Sequence, residues 1–299
     1  MPPRKVLLQS TIVTTEDDWS IRRFSLLAAH LASVTSAGGD RLFEVTARDR
    51  GPVDAPDPVL SSLDDSGFDA LWLFAVDVGD GLTPADCNGI TRFRQAGGGL
   101  MVTRDHMDLG SSLCTLGGPG AAHYFHSRNP DPDTSRHRID DTETASISWP
   151  NYHSGANGDF QIIRAVGEVH PVLVDPSTPQ GQISMLPAHP HEGAVGAPAD
   201  DPTARVIATG VSEVSGASFN IAVAFEPSPA GGPAIAQSTF HHFADYNWDP
   251  SMGSPSFVTE RPGDGIARSA QAQRQIRRYA TNLALWLTGQ SILAVPEAG

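Results

Sequence analysis

Two stretches of the chain set imidazoles beside carboxylates closely enough for acid/base or metal chemistry. One is Arg104-Asp105-His106-Met107-Asp108, and the other is His241-His242-Phe243-Ala244-Asp245-Tyr246-Asn247-Trp248-Asp249. An imidazole changes charge near neutral pH and ligates zinc-like ions, and a neighbouring carboxylate orients it. His106, His241 and His242 are therefore candidate catalytic residues, with Asp105 as the group that orients a ring. Arg104, Asp77 and Asp245 are candidate substrate contacts, and Tyr246 and Trp248 offer apolar faces to a sugar ring. A third stretch, His189-Pro-His191-Glu192, would supply His189, His191 and Glu192 to a divalent metal such as zinc if its loop folds back on itself. Its spacing is not the helical HExxH, so the motif by itself specifies no cofactor.

Eleven histidines stand against a single lysine, Lys5, in a chain with 20 basic and 34 acidic residues and a formal net charge of −14. The missing lysines exclude a Schiff-base mechanism and a GxxxxGK[ST] phosphate loop. A chain this acidic, with no basic stripe, repels a phosphate backbone, so nucleic acid is excluded as a partner. No window reaches the ~18 unbroken apolar residues of a membrane span, and the start lacks a long apolar leader, so no membrane partner is expected. Two cysteines, Cys87 and Cys114, are too few for a disulfide framework, which makes a reducing cytoplasm the expected location. Acids gather at Glu16 to Asp18, Asp77, Asp80, Asp105 and Asp108, a distribution that suits a neutral, sugar-like small molecule better than an anion. A homo-oligomer is compatible with the composition, which fixes no oligomeric state.

These residues need a scaffold, and 39% apolar against 18% charged residues describes a globular chain with a large core. The β-branched run Val6 to Val13 predicts a first strand, and Ser20 caps a helix carrying Phe24, Leu27, Leu31 and Val34. Strands follow at Leu42 to Ala47, Phe68 to Val76 and Leu100 to Thr103, the last two separated by a helix that opens on Thr83-Pro84 and ends at Gly97-Gly98-Gly99. Strand and helix in alternation predict a mainly parallel sheet with right-handed crossovers. In such a sheet ligands bind beyond the carboxyl ends of the strands, which is where Asp77, Arg104 to Asp108 and His241 to Asp249 fall. Residues 110–158 lose all periodicity and read as an irregular insertion or lid, with His123 and His126 in it, inside a single domain spanning 1–299. Residues Phe160 to Val174 and Gln182 to Leu186 have some strand character. Stronger strands are predicted at Ala204 to Gly210, Phe219 to Phe225 and Pro233 to Phe240. A final amphipathic helix carries Ile276, Tyr279, Ala280, Leu283, Trp286 and Leu287 on one stripe.

Four features together resemble the class I glutamine amidotransferase-like fold and, within it, the ThuA-like (trehalose utilization) group. They are the strand with an acidic turn from Phe68 to Asp80, the helix running into Gly97-Gly98-Gly99-Leu100, the segment Glu168-Val-His170-Pro171-Val172, and the late strand ending in His241-His242 with Asn247-Trp248 beyond it. The resemblance implies a flavodoxin-like three-layer sandwich with its site above the carboxyl edge, and it associates the chain with sugar metabolism. Amidotransferases of this fold carry a cysteine just past the strand that follows the glycines; here that position is Arg104, so the resemblance implies no glutaminase. The expected function is an enzyme acting on a carbohydrate or related small polar molecule through a His/Asp site. Two alternatives stand beside it: a non-catalytic ligand-binding or assembly protein that keeps the fold, and a cysteine hydrolase using Cys114, which needs that thiol exposed and next to a histidine.

Overall fold

Apolar runs that alternate with capped amphipathic segments build a strand–helix alternation, and the computed structural model, which describes residues 2–140, 144 and 146–292, shows it. β1 (Arg4–Ser10), α1 (Ser25–Ser33), β2 (Phe43–Arg48), β3 (Ala70–Phe74), α2 (Pro84–Gln95) and β4 (Gly99–Thr103) follow one another. Thr83 and Asp86 close a reciprocal capping box at the start of α2, with Pro84 at its first position. β1 pairs in parallel with both β2 and β3, and β3 with β4. The expected helix is shorter than its apolar stripe suggested: α1 stops at Ser33 and Val34 leaves in extended conformation.

β5 (His123–Tyr124), β6 (Phe160–Ile162), β7 (Arg164–Ala165), β8 (Met185–Pro187), β9 (Ala194–Val195), β10 (Ala204–Val211), β11 (Ser218–Phe225) and β12 (Ala234–Gln237) complete the strands. The main sheet has the order β2-β1-β3-β4-β12-β11-β10-β7. Its first five strands run parallel, whereas β12, β11, β10 and β7 form an antiparallel meander. The strand character of Phe160 to Val174 survives only as β6 and β7. Gly167 turns the chain with a positive φ of 67°, and Pro171 starts a short 3-10 turn.

α3 (Asp245–Trp248), α4 (Gly265–Arg268) and α5 (Ala270–Leu287) close the chain. Successive strand residues point to opposite faces, so Val6, Leu8, Trp72 and Phe74 meet α1 and α5 while Leu7, Leu71, Leu73 and Val102 meet α2. The result is a flavodoxin-like three-layer sandwich with a mixed sheet. Ile276, Tyr279, Ala280, Leu283 and Leu287 of α5 are buried as their spacing predicts. Among the described residues no helix is long and apolar enough to cross a membrane.

The insertion is tied down rather than loose. β5 pairs with β9, the Tyr152 and Glu192 backbones exchange two hydrogen bonds, and the Met107 amide donates to the Pro150 carbonyl. These ladders hold residues of the 110–158 stretch across the carboxyl edge of β4 and β12. The segment 141–143 and residue 145 lie outside the described residues.

Candidate active site and metal centre

β4 and β12 are adjacent and parallel, so both chains leave the sheet at the same edge. Past β4 come Arg104, Asp105 and His106. Past β12 the chain turns through Phe240–His242, where Thr239 caps the turn by accepting from the His241 amide. The loop between β8 and β9 crosses the same edge with His189 and His191, held to the insertion by the His189 amide donating to Ser154 Oγ.

Asp105 sits where these segments meet. Its carboxylate lies 3.3 Å from His189 Nε2, 3.2 Å from His106 Nδ1 and 3.8 Å from His241 Nε2. The rings of His189 and His241 stack in parallel, 3.5 Å between centroids and 12° between planes. His191 stands edge-on to both His106 and His189, at 5.2 and 5.4 Å, with its Nε2 3.9 Å from Glu260. Asp105, His189, His191 and His241 are buried, whereas the His106 side chain is 18% exposed and forms the open rim. Among the described residues two overlapping triads could hold an ion: His106, His189 and His191, or Asp105, His189 and His241. In each, the ligand atoms lie within 4.8 Å of one another.

The electrostatics favour an ionised Asp105 carboxylate beside a neutral His189 ring. Burial opposes the charge on Asp105, but the imidazoles of His106, His189 and His241 outweigh it and hold the carboxyl well below the usual carboxylate range. Burial first, then the adjacent His241, holds His189 well below the ordinary imidazole value.

Comparison with solved structures agrees with this architecture. A ThuA-like protein from Parabacteroides merdae superposes with a TM-score of 0.50, covering 99% of this chain and 94% of its own at 13% identity. The chain has a ThuA-like fold. A ThuA-like protein from Bacteroides uniformis gives a TM-score of 0.41 at 12% identity, covering 92% of this chain and 91% of its own. The glutaminase domain of a Trypanosoma brucei CTPS gives 0.45 at 12% identity, covering 96% and 94%. No protein-family model matches the sequence, and no curated protein does.

Within this ThuA-like fold the sequence-predicted residues divide. Asp105, His106, His241, His189 and His191 come together. His242, although adjacent to His241, turns the other way and meets Glu192 at 3.4 Å. Glu192 is fully buried and accepts from Ser154 Oγ, Ser238 Oγ and the Gln161 amide, so it supports the loop from beneath and does not join His189 and His191 at an ion.

The five expected substrate contacts are used by the scaffold. Arg104 is fully buried, stacks 4.1 Å over Phe125 and donates to the carbonyls of Tyr124, Ala194 and Met107. Burial lowers its pKa to about 9. Asp77 accepts from Thr11 and Ser112 hydroxyls and the Gly79 amide, joining the ends of β1 and β3 to the start of the insertion. Asp245 accepts from the Ser25 and Leu26 amides at the start of α1. Trp248 is 7% exposed, donates its indole N–H to the His242 carbonyl and faces Arg277 and His30, so its ring is not offered to a ligand. Tyr246, at 6%, is likewise packed into the core.

Cys114 lies in the short 3-10 turn Ser111–Thr115, and burial pushes its thiol up. Its electrostatic neighbours are Arg128 and Asp77, not a histidine. Two residues of the site carry no sequence signal of their own. Asn157 Oδ1 lies 2.9 Å from His189 Nδ1, and Asn247 Oδ1 lies 2.8 Å from His241 Nδ1. Asn247, six positions after His241, could have been sought as the partner that fixes an imidazole; Asn157 lies far away in sequence.

Proposed function

We propose that this chain is an enzyme acting on a neutral, sugar-like small molecule by hydrolysis or proton transfer at the Asp105 histidine cluster. The observation that carries the reading is the convergence of three imidazoles, His106, His189 and His241, delivered by three separate segments, on one buried carboxylate at the carboxyl edge of the sheet, with His191 edge-on beside two of them. Ion pairs that merely stabilise a surface do not require that arrangement, and burying titratable groups in this density is costly unless the groups are used. His106 at the rim is the residue placed to exchange a proton with a substrate, with Asp105 orienting its Nδ1. Arg104 is committed to backbone carbonyls, so the cluster offers no fixed guanidinium to an anion. The two free cysteines fit a reducing cytoplasm.

A thermal-shift and turnover screen over neutral sugars, polyols, chromogenic glycosides and sugar acids tests the reading, with His106→Ala and His241→Ala as controls. Neutral compounds should stabilise or be turned over by the wild type and lose that effect in both variants. Turnover that survives in both folded variants, or a preference for sugar acids, overturns it. Binding without turnover of any compound would assign the site to a ligand-binding protein instead.

A further inference from the structure

We propose that Asn247 and Asn157 are positioning residues of the site: they lock the inner imidazoles, His241 and His189, as Nδ1–H tautomers and turn the basic Nε2 atom of each toward Asp105. This deepens the enzyme reading above, and it stands on a chain of side-chain amides behind the two rings. Asn247 Nδ2 lies 3.1 Å from the Ala188 carbonyl and 2.8 Å from Asn157 Oδ1. A backbone carbonyl only accepts, so the group facing it is the NH₂ of Asn247, and Asn247 Oδ1 is left facing His241 Nδ1 at 2.8 Å. The same NH₂ fixes Asn157, because only an oxygen accepts from it. That oxygen lies 2.9 Å from His189 Nδ1. Each inner ring therefore meets an acceptor on its Nδ1 side and must bring a proton there.

The two rings lie 12° from parallel with centroids 3.5 Å apart, and their Nε2 atoms emerge together on the other side, 3.3 and 3.8 Å from the Asp105 carboxylate. Asp105 Oδ1 and His189 Nε2 are buried and make no hydrogen bond, as a lone pair facing a carboxylate requires. Asn157 and Asn247 are themselves buried, so bulk water does not take over from either oxygen. An amide neither gains nor loses a proton near neutral pH, so protons reach the inner rings only on the Asp105 side. His106 Nδ1 meets the same carboxylate at 3.2 Å, from the rim. A proton taken from a substrate at His106 Nε2 is balanced by release of the Nδ1 proton to Asp105, which hands it to an inner Nε2.

The test uses the full chain with its histidine rings labelled with ¹⁵N, read by long-range ¹H–¹⁵N correlation at pH 7, with His189→Gln and His241→Gln to assign the signals. The expected result is a protonated Nδ1 in both inner rings. Asn247→Leu removes the acceptor of His241, whose remaining partner is Asp105, so its proton should move to Nε2; Asn157→Leu should do the same to His189. Asn157→Asp keeps the accepting oxygen and should keep the His189 proton on Nδ1. A compound turned over in the screen above should be processed at least ~10-fold more slowly by Asn247→Leu, as where an imidazole is held in the wrong tautomer. Circular dichroism checks folding, and where a leucine variant does not fold, the wild-type and Asn157→Asp spectra decide. An unprotonated Nδ1 in either inner ring of the wild type, or protons that stay on Nδ1 in both folded leucine variants, overturns the proposal. Locked tautomers with no turnover of any compound keep the positioning residues and remove the enzyme. Turnover undiminished in folded Asn247→Leu keeps the enzyme and overturns the proposal.

Discussion

The ring of His189 lies flat against the ring of His241 although the two residues come from different loops, one between β8 and β9 and the other past β12. The stack makes the two imidazoles a unit: moving either loop moves both nitrogens away from Asp105. His241→Phe keeps the flat ring and the contacts with Trp19 and Phe240 but removes the nitrogens. We expect a melting temperature within a few degrees of wild type and a fall in kcat of at least ~100-fold, in line with the loss of an acid/base or ligand group. Steady-state kinetics beside a thermal melt checks it, and a variant with both values unchanged would remove His241 from the chemistry.

Gly193 is the contact through which the histidine loop touches the end of β4. A Cβ there would collide with Arg104 Nε and lie 2.6 Å from the Asp105 carbonyl oxygen. Gly193→Ala should cost about 1–3 kcal/mol, the usual range for overpacking, and should lower activity as well, because Asp105 is displaced. Chemical denaturation measures the first effect and kinetics the second; an active variant of unchanged stability would show that the loop can give way.

Buried neutral histidines set the acid limit of the fold. Burial, with Arg104 next, pushes His123 down to about 3, and burial with Arg205 does the same for His170. The sign follows from linkage: the unfolded chain binds these protons below about pH 6.5 and the folded chain does not, so stability is complete above that pH and falls as pH falls. Each histidine should cost about 2 kcal/mol between pH 7 and 5. Urea denaturation at the two pH values should show the loss, and His123→Gln should flatten the slope.

Cys114→Ala should leave activity within about twofold of wild type, because a thiol raised by burial and remote from the histidines is a poor nucleophile. Iodoacetamide should label it slowly at pH 7. Fast labelling together with loss of activity would restore a cysteine mechanism.

The sheet edge and the meeting of Asp105, His106 and His241 were legible in the sequence, because parallel strands deliver their carboxyl ends to one side whatever the details of packing. The gathering of His189 and His191 at an ion-sized spacing was legible from their loop, whereas Glu192, expected to join them, turns beneath the loop to Ser154, Ser238 and Gln161. One residue of difference in a tight turn sends His242 to the opposite side of the strand end from His241, and chain position does not encode that parity. Trp248 and Asp245 illustrate a second limit. An aromatic and an acid past a strand end read as ligand contacts, yet one completes the core and the other caps a helix whose sequence lies far upstream. The roles of Asn157 and Asn247 as partners of ring nitrogens were not legible, because an amide that fixes a tautomer has no periodicity and no required spacing.

Arg104 has a consequence for how this site could be moved or altered. Its guanidinium joins carbonyls of Tyr124, Ala194 and Met107, which belong to the insertion, to the strand after the histidine loop and to the residue next to His106. The smallest portable unit is therefore not two strand ends with their histidines. A flavodoxin-like sheet given only β4, β12 and their turns would leave the buried Arg104 guanidinium without its Tyr124 and Ala194 acceptors, so a graft must bring β5 and β9 with it. Redesign of specificity is confined for the same reason to the outer rim around His106, where side chains can change without untying that knot.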